Sequence, residues 1–208
     1  MSSKISEEQK LKRRVVHERL EADEFREGCE IVKNILKFIG ENSERDGLKG
    51  TPARVVKSWQ ELFSGYSFKE EHIKELLTEF DSDYDELILL KNIEFYSTCE
   101  HHLLPFLGTA HIGYLPKKKV VGISKLARLL EIYSRRLQIQ ERLTTQITQA
   151  IMKHLNPFGA GCVINAKHLC MVCRGVQKQN SVMTTSSLEG VFKSDPSVRN
   201  EFLRLIEI

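Results

Sequence analysis

From Glu24 onward apolar residues recur every three or four positions. Phe25, Cys29, Val32, Leu36 and Ile39 fall on one face and predict a helix, which Gly40 and the polar run to Gly50 close. Thr51-Pro52 predicts a second helix start, with Thr as N-cap and Pro in the first turn, where a missing N–H costs nothing. Its apolar face is Val55, Val56, Trp59, Leu62 and Phe63; Arg54 and Lys57, three apart, share another face, and Gly65 ends it.

The pattern then changes. Between Leu87 and Leu115 the period shortens to two and Ile, Phe and Tyr become frequent, which predicts strands at 93–96 and 109–114. Pro116 and the lysines after it predict a turn, and residues 120–123 a short strand. Ser124 reads as the N-cap of a helix carrying Leu126, Leu129, Leu130 and Tyr133. Ile139, Leu143, Ile147, Ile151 and Leu155 then mark a second helix by their spacing of four, stopped by Asn156-Pro157-Phe158-Gly159. Residues 162–173 return to strand, and 181–187 suggest another. The order of helices, strands, two helices and strands predicts an α+β fold with a largely antiparallel sheet. Residues 1–23 form a charged tail of mixed sign, 24–80 an N-terminal helical region and 81–208 the main domain.

Composition narrows the class. Of 208 residues, 41% are hydrophobic, enough for a real core. A net charge of +3 is too small to imply nucleic acid without a local basic cluster. No apolar run approaches a membrane span, and the charged N-terminus lacks a signal-peptide core, so a soluble, cytoplasmic chain without membrane or nucleic-acid partners is expected. The five cysteines suit thiols or metal ligands better than disulfides in a reducing compartment.

Two clusters could bind metal. Cys99 and His102 are three apart, so one turn brings a thiolate and an imidazole to the same side, which suits zinc. In His168-Leu169-Cys170-Met171-Val172-Cys173, a strand would point His168 and Cys170 to one face and Cys173 to the other. Two arrangements follow. Cys170 and Cys173 could join Cys99 and His102 in a closed four-ligand structural site. Alternatively Cys99, His102 and Cys170 leave a fourth position open, the catalytic arrangement, with Cys173 as a small buried core residue. Strand parity favours the second.

CEHH at 99–102, GISKLARLLEIYSRRLQIQERLT at 122–144, HLCMVCRGV at 168–176, SVMTTSSLEGVF at 181–192 and GLKGTPARVVKSW at 47–59 together resemble the GTP cyclohydrolase I family, over roughly Glu24 to Leu205. The resemblance implies the tunnelling fold, an antiparallel sheet with a helix pair preceded by N-terminal helices. It implies a homodecamer of two stacked pentameric rings with active sites between subunits. The reaction implied is zinc-dependent conversion of GTP and water to 7,8-dihydroneopterin triphosphate and formate, the first step of tetrahydrofolate and pterin biosynthesis. Carried over by position, Cys99, His102 and Cys170 correspond to the ligands of Zn2+, and His101 and His168 to the proton-transferring histidines. Gln140 and Glu141 match the base-recognition pair; a carboxylate can accept both the N1–H and N2–H donors of guanine. Lys125, Arg128 and Arg174 match triphosphate contacts, as do Arg54 and Lys57 from a neighbouring subunit, and Ser124 would bond the ribose. Cys173 stands where the family commonly has methionine, and the tail to residue 23 is outside the resemblance.

Two other readings compete. A zinc-stabilised structural or nucleic-acid-binding module would need a closed metal site and a basic surface. A same-fold enzyme acting on another purine or pterin would need histidine-only zinc ligation or a metal-free catalytic cysteine. The Cys-His-Cys set with two extra histidines discriminates against both.

Overall fold

The computed structural model describes residues 21–207, so the expectation for the charged tail falls almost wholly outside the described residues. The chain divides into two compact units between Ser67 and Phe68. The first holds helices α1 (Ala22–Phe38) and α2 (Thr51–Leu62) and a 3-10 turn at Ser64–Ser67. Helix α1 starts where the Glu21 N–H donates to the Glu24 carboxylate at 3.0 Å, satisfying an otherwise orphaned donor. Its buried residues are Val32 and Leu36. In α2, Gly50 rather than Thr51 occupies the cap, and Pro52 sits in the first turn as its missing N–H allows.

The second unit is built on a five-stranded sheet in the order β5-β2-β3-β6-β7, where β2 is Ile88–Cys99, β3 Pro105–Leu115, β5 Leu137–Gln138, β6 Gly159–His168 and β7 Met183–Gly190. All pairings are antiparallel except the short parallel join of β5 to β2. A small second sheet pairs β1 (Glu79–Asp81) with β4 (Lys119–Val121). The helices are α3 (Glu70–Leu76), α4 (Ile123–Ser134), α5 (Gln140–Leu155), the single turns α6 (Leu169–Val172) and α7 (Val191–Ser194), and α8 (Pro196–Glu207).

Alternation along the strands gives the sheet two covered faces. Phe106, Ala110, Ile112 and Tyr114 of β3 and Ala160, Cys162, Ile164 and Ala166 of β6 share the main core with Leu126, Leu129 and Leu130 of α4 and Leu143, Ile147 and Ile151 of α5. The heptad-like apolar spacing of α4 and α5 exists to cover this face. On the reverse face Val163 packs with Phe192 and Phe202 from α7 and α8.

Two local features shape the sheet. At Gly108 a Cβ would meet the Asn165 carbonyl oxygen at 1.9 Å, so β3 and β6 approach there only because that position has no side chain. In β2 a bulge shifts the register between Leu90 and Ile93, with Asn92 at φ 57°. The bulged Asn92 N–H donates to Nδ1 of the buried His111 at 3.4 Å.

The strand expected over 162–173 ends at His168. His168 pairs with Phe106, and the next residue of β3 is Pro105, which has no N–H to extend the ladder. The backbone therefore turns into α6, closed by the Cys173 N–H donating to the Leu169 carbonyl at 3.0 Å. The strand parity used above does not apply at Cys173. Ser124 is likewise not a cap: α4 begins at Ile123 with Gly122 as N-cap. Among the described residues no helix is long and apolar enough to cross a membrane.

Candidate active site and metal centre

The hairpin joining β2 to β3 is five residues long and carries both CEHH ligand candidates. The Cys99 N–H donates to the Leu104 carbonyl at 2.8 Å, the Leu103 N–H returns to Cys99 O at 2.9 Å, and Leu103 accepts φ 53° to close the turn. This brings His102 Nδ1 within 3.8 Å of Cys99 Sγ. The turn α6, placed beside them by the β3–β6 ladder, supplies Cys170. The donor atoms of Cys99, His102 and Cys170 all lie within 4.8 Å of one another, a group that could hold a metal ion.

The donor set fits zinc. Two thiolates and one imidazole are its preferred ligand types, and tetrahedral bond lengths place sulfur and nitrogen about 3.5 Å apart. The 3.8 Å between Cys99 and His102 needs only a small closure. Burial, reinforced by the Cys99 sulfur, pushes the Cys170 thiol up, with Arg174 opposing; a cation at the group would offset that.

Cys173 is outside the group and exposed, with its thiol donating to the Leu169 carbonyl at 2.9 Å. The buried core position expected for it is corrected: the helical turn directs it to solvent. Cys162, by contrast, is enclosed in the main core, and burial holds its thiol up.

The two expected proton-transferring histidines differ in setting. His101 is exposed, with Nδ1 4.0 Å from Cys99 Sγ. His168, at the end of β6, is half-buried and stacked on Phe106, with ring centroids 4.6 Å apart and planes at 2°. Its Nε2 lies 2.8 Å from Gln140 Oε1. Burial lowers its pKa, and the nearby Glu141 carboxylate works against that.

Gln140 and Glu141 are neighbours with opposite fates. Glu141 is exposed in the first turn of α5 and free to meet a ligand. Gln140 is 0% exposed, and its amide nitrogen faces the Ile164 carbonyl at 3.0 Å, the Met183 carbonyl at 2.9 Å and Thr185 Oγ1 at 3.1 Å. In this structure the side-chain amide is thus engaged by the protein itself.

The expected phosphate-binding cations are distributed. Lys125 and Arg128 lie one turn apart on α4, half-buried, with Ser124 exposed beside them, and Arg174 is exposed just beyond α6. Arg54 and Lys57 are exposed on α2 in the first unit; the Arg54 guanidinium donates to Thr51 Oγ1 at 3.0 Å.

Other contributors carry no motif. Phe106 could have been found from β3 alternation only once its register with His168 was known. Glu100, in the CEHH turn, pairs with Arg142, whose Nε donates to Gln138 Oε1 at 3.1 Å. Charge spacing along a sequence gives no signal for a pair 42 residues apart.

A family model described as GTP cyclohydrolase I matches residues 29–207. The chain belongs to the GTP cyclohydrolase I family. A GTP cyclohydrolase 1 of Wolinella succinogenes (strain ATCC 29543) is 55% identical over 174 residues, which are 84% of this chain and 92% of that one. One from Campylobacter jejuni subsp. jejuni serotype O:6 is 53% identical over 177 residues, again 84% and 92%. One from Synechococcus sp. (strain JA-2-3B'a(2-13)) is 54% identical over 177 residues, 84% of this chain and 76% of its own length. In this family member the metal group, the stacked histidine and the exposed Glu141 gather where the C-terminal ends of β2 and β6 meet the start of α5.

Proposed function

We propose that this chain converts GTP and water to 7,8-dihydroneopterin triphosphate and formate, with Zn2+ held by Cys99, His102 and Cys170. One observation carries the reading: two sulfurs and an imidazole nitrogen converge within 4.8 Å in a chain of this family. A bound zinc ion would supply water activated near neutral pH, where bulk water is not nucleophilic enough to attack C8 of guanine.

The side chains do the rest. Glu141 accepts the paired N1–H and N2–H donors of guanine and orients C8. His168 and His101 exchange protons with the substrate, N7 being the atom whose protonation makes C8 more electrophilic. Lys125, Arg128 and Arg174 neutralise the triphosphate, and Ser124 bonds the ribose. His168 is held rigidly against Phe106, so its proton transfers occur from a fixed position.

The finer architecture belongs to the same proposal. Residues 81–208 form a tunnelling-fold domain that assembles into a decamer of two pentameric rings. Among the described residues no strand pairs with the outer edge of β7, and β5 covers only two residues of β2. Such open edges are ready for pairing with another subunit. In such a ring Arg54 and Lys57 reach the triphosphate of a neighbouring site.

Incubating the zinc-loaded protein with GTP should release formate together with a dihydropterin absorbance. Absence of both would overturn the reading. Co-expressing Arg54→Ala with Cys170→Ala chains tests the shared site: each alone is inactive, and mixed rings recover part of the activity. No recovery in rings shown by mass to be mixed and zinc-loaded would mean that Arg54 serves its own subunit.

A further inference from the structure

We propose that Gln140 is a positioning residue that locks His168 in a single tautomer, with the proton on Nε2 and the Nδ1 lone pair kept for the substrate. Only the catalytic arm of this inference rests on the proposed GTP reaction; the tautomer itself stands on hydrogen bonding.

The Gln140 amide has only one orientation that satisfies its neighbours. The Gln140 side chain meets the carbonyl oxygens of Ile164 at 3.0 Å and Met183 at 2.9 Å. Carbonyl oxygens only accept, so the atom facing them must be the NH2. Turning the amide over would set Oε1 against two carbonyl oxygens in a site with 0% exposure.

The neighbouring hydroxyls agree. Thr144 Oγ1 donates to the Gln140 carbonyl at 2.7 Å, which uses its one proton. In the 2.6 Å pair between Thr144 and Thr185 the donor is therefore Thr185, which leaves Thr185 Oγ1 an acceptor at 3.1 Å that shares one of the two Gln140 amide hydrogens with a carbonyl. Each group in the ring of contacts has a consistent role.

With the amide fixed, its oxygen faces His168 Nε2 at 2.8 Å. An oxygen acceptor at that distance requires a hydrogen on Nε2. The neutral ring therefore carries its proton there, and the Nδ1–H neutral tautomer is excluded. The Phe106 face holds the ring plane, so the Nδ1 lone pair keeps a fixed direction.

This assigns the pair Gln140-Glu141 a division of labour. Glu141 reads the base, and Gln140, one residue earlier and facing inward, orients the histidine that acts on it.

Magic-angle-spinning 15N NMR of zinc-loaded protein labelled at histidine nitrogens tests the tautomer directly, with His168→Gln identifying the resonances. The expected spectrum has His168 protonated at Nε2 alone. Gln140→Glu retains an acceptor oxygen and should keep that signature, whereas Gln140→Met, similar in volume, should yield a mixture of tautomers. A wild-type His168 with its neutral proton on Nδ1 would overturn the proposal, and so would an unchanged signature in Gln140→Met. The wild-type measurement decides even if that variant fails to fold. In turnover, Gln140→Met should lose roughly 10–100-fold in kcat, part of what a positioned acid–base group contributes, with KM for GTP little changed. A raised KM with kcat intact would return Gln140 to base recognition. If the wild-type protein does not turn over GTP at all, the tautomer result still stands or falls separately.

Discussion

Phe106 and His168 occupy partner positions of the β3–β6 ladder, and their rings stack with centroids 4.6 Å apart and planes at 2°. Strand register, rather than any local motif, thereby sets the plane of the imidazole. Replacing Phe106 with Leu should cost stability modestly, on the order of 1–2 kcal/mol for a core side chain that changes shape. Its larger effect should be on kcat, because Leu leaves the ring free to tilt. Thermal unfolding and steady-state turnover together check this; a normal kcat would show that stacking has no part in catalysis.

The metal group makes a sharp distinction between two cysteines three residues apart. Cys170→Ala should abolish metal retention and turnover, while Cys173→Ala keeps both, since the Cys173 thiol is exposed and bonded to its own turn. Metal content after gel filtration is the measurement. Equal loss of metal from both variants would restore the closed four-ligand site of three cysteines and one histidine.

Glu141→Ala removes the acceptor for two donors of guanine. A hydrogen bond to a charged group is worth about 1.5–3 kcal/mol, so binding of GTP should weaken roughly 10- to 150-fold and its advantage over ATP should shrink. Competition binding with both nucleotides tests it, and equal binding of GTP and ATP by the unaltered protein would remove the basis of the expectation.

His111 predicts a pH dependence of stability. Burial first, and the Lys91 charge second, hold its pKa below the ordinary 6.5. Above pH 6.5 the ring is neutral in both folded and unfolded chains, and its contribution is constant. Below it the unfolded chain takes up the proton first, so stability falls with pH until the folded ring also titrates. Protonation at Nδ1 would also oppose the Asn92 N–H that now donates to it. His111→Gln should flatten this part of the profile in urea unfolding between pH 7.5 and 5.5. An unchanged slope would assign the effect to other groups.

Much of this was legible in the sequence where the signal was local. Period-four spacing located α5 from Ile139 to Leu155, and the three-residue step of Cys99 to His102 anticipated a shared side of one turn. What escaped were consequences of pairing. The end of β6 at His168 depends on Pro105 lying opposite the next position, which no reading of residues 162–173 alone contains. Cys173 was placed outside the metal group by a strand parity that does not exist there; a helical turn produces the same exclusion for a different reason. The contrast between Gln140 and Glu141 is equally hidden, because one helical step of 100° separates an exposed side chain from one sealed in the protein.

Gly108 bears on how the site tolerates change over evolutionary time. It sits two residues after Phe106 on β3 and faces the β6 backbone at Asn165, three residues before His168. It touches none of the donor atoms, yet any Cβ there would push the two strands apart, because the obstacle is main chain and cannot rotate away. That displacement would pass directly into the stacked pair. Genetic screens scored only for substrate contacts would overlook position 108, whereas unbiased saturation mutagenesis should find it nearly as intolerant as the proposed metal ligands.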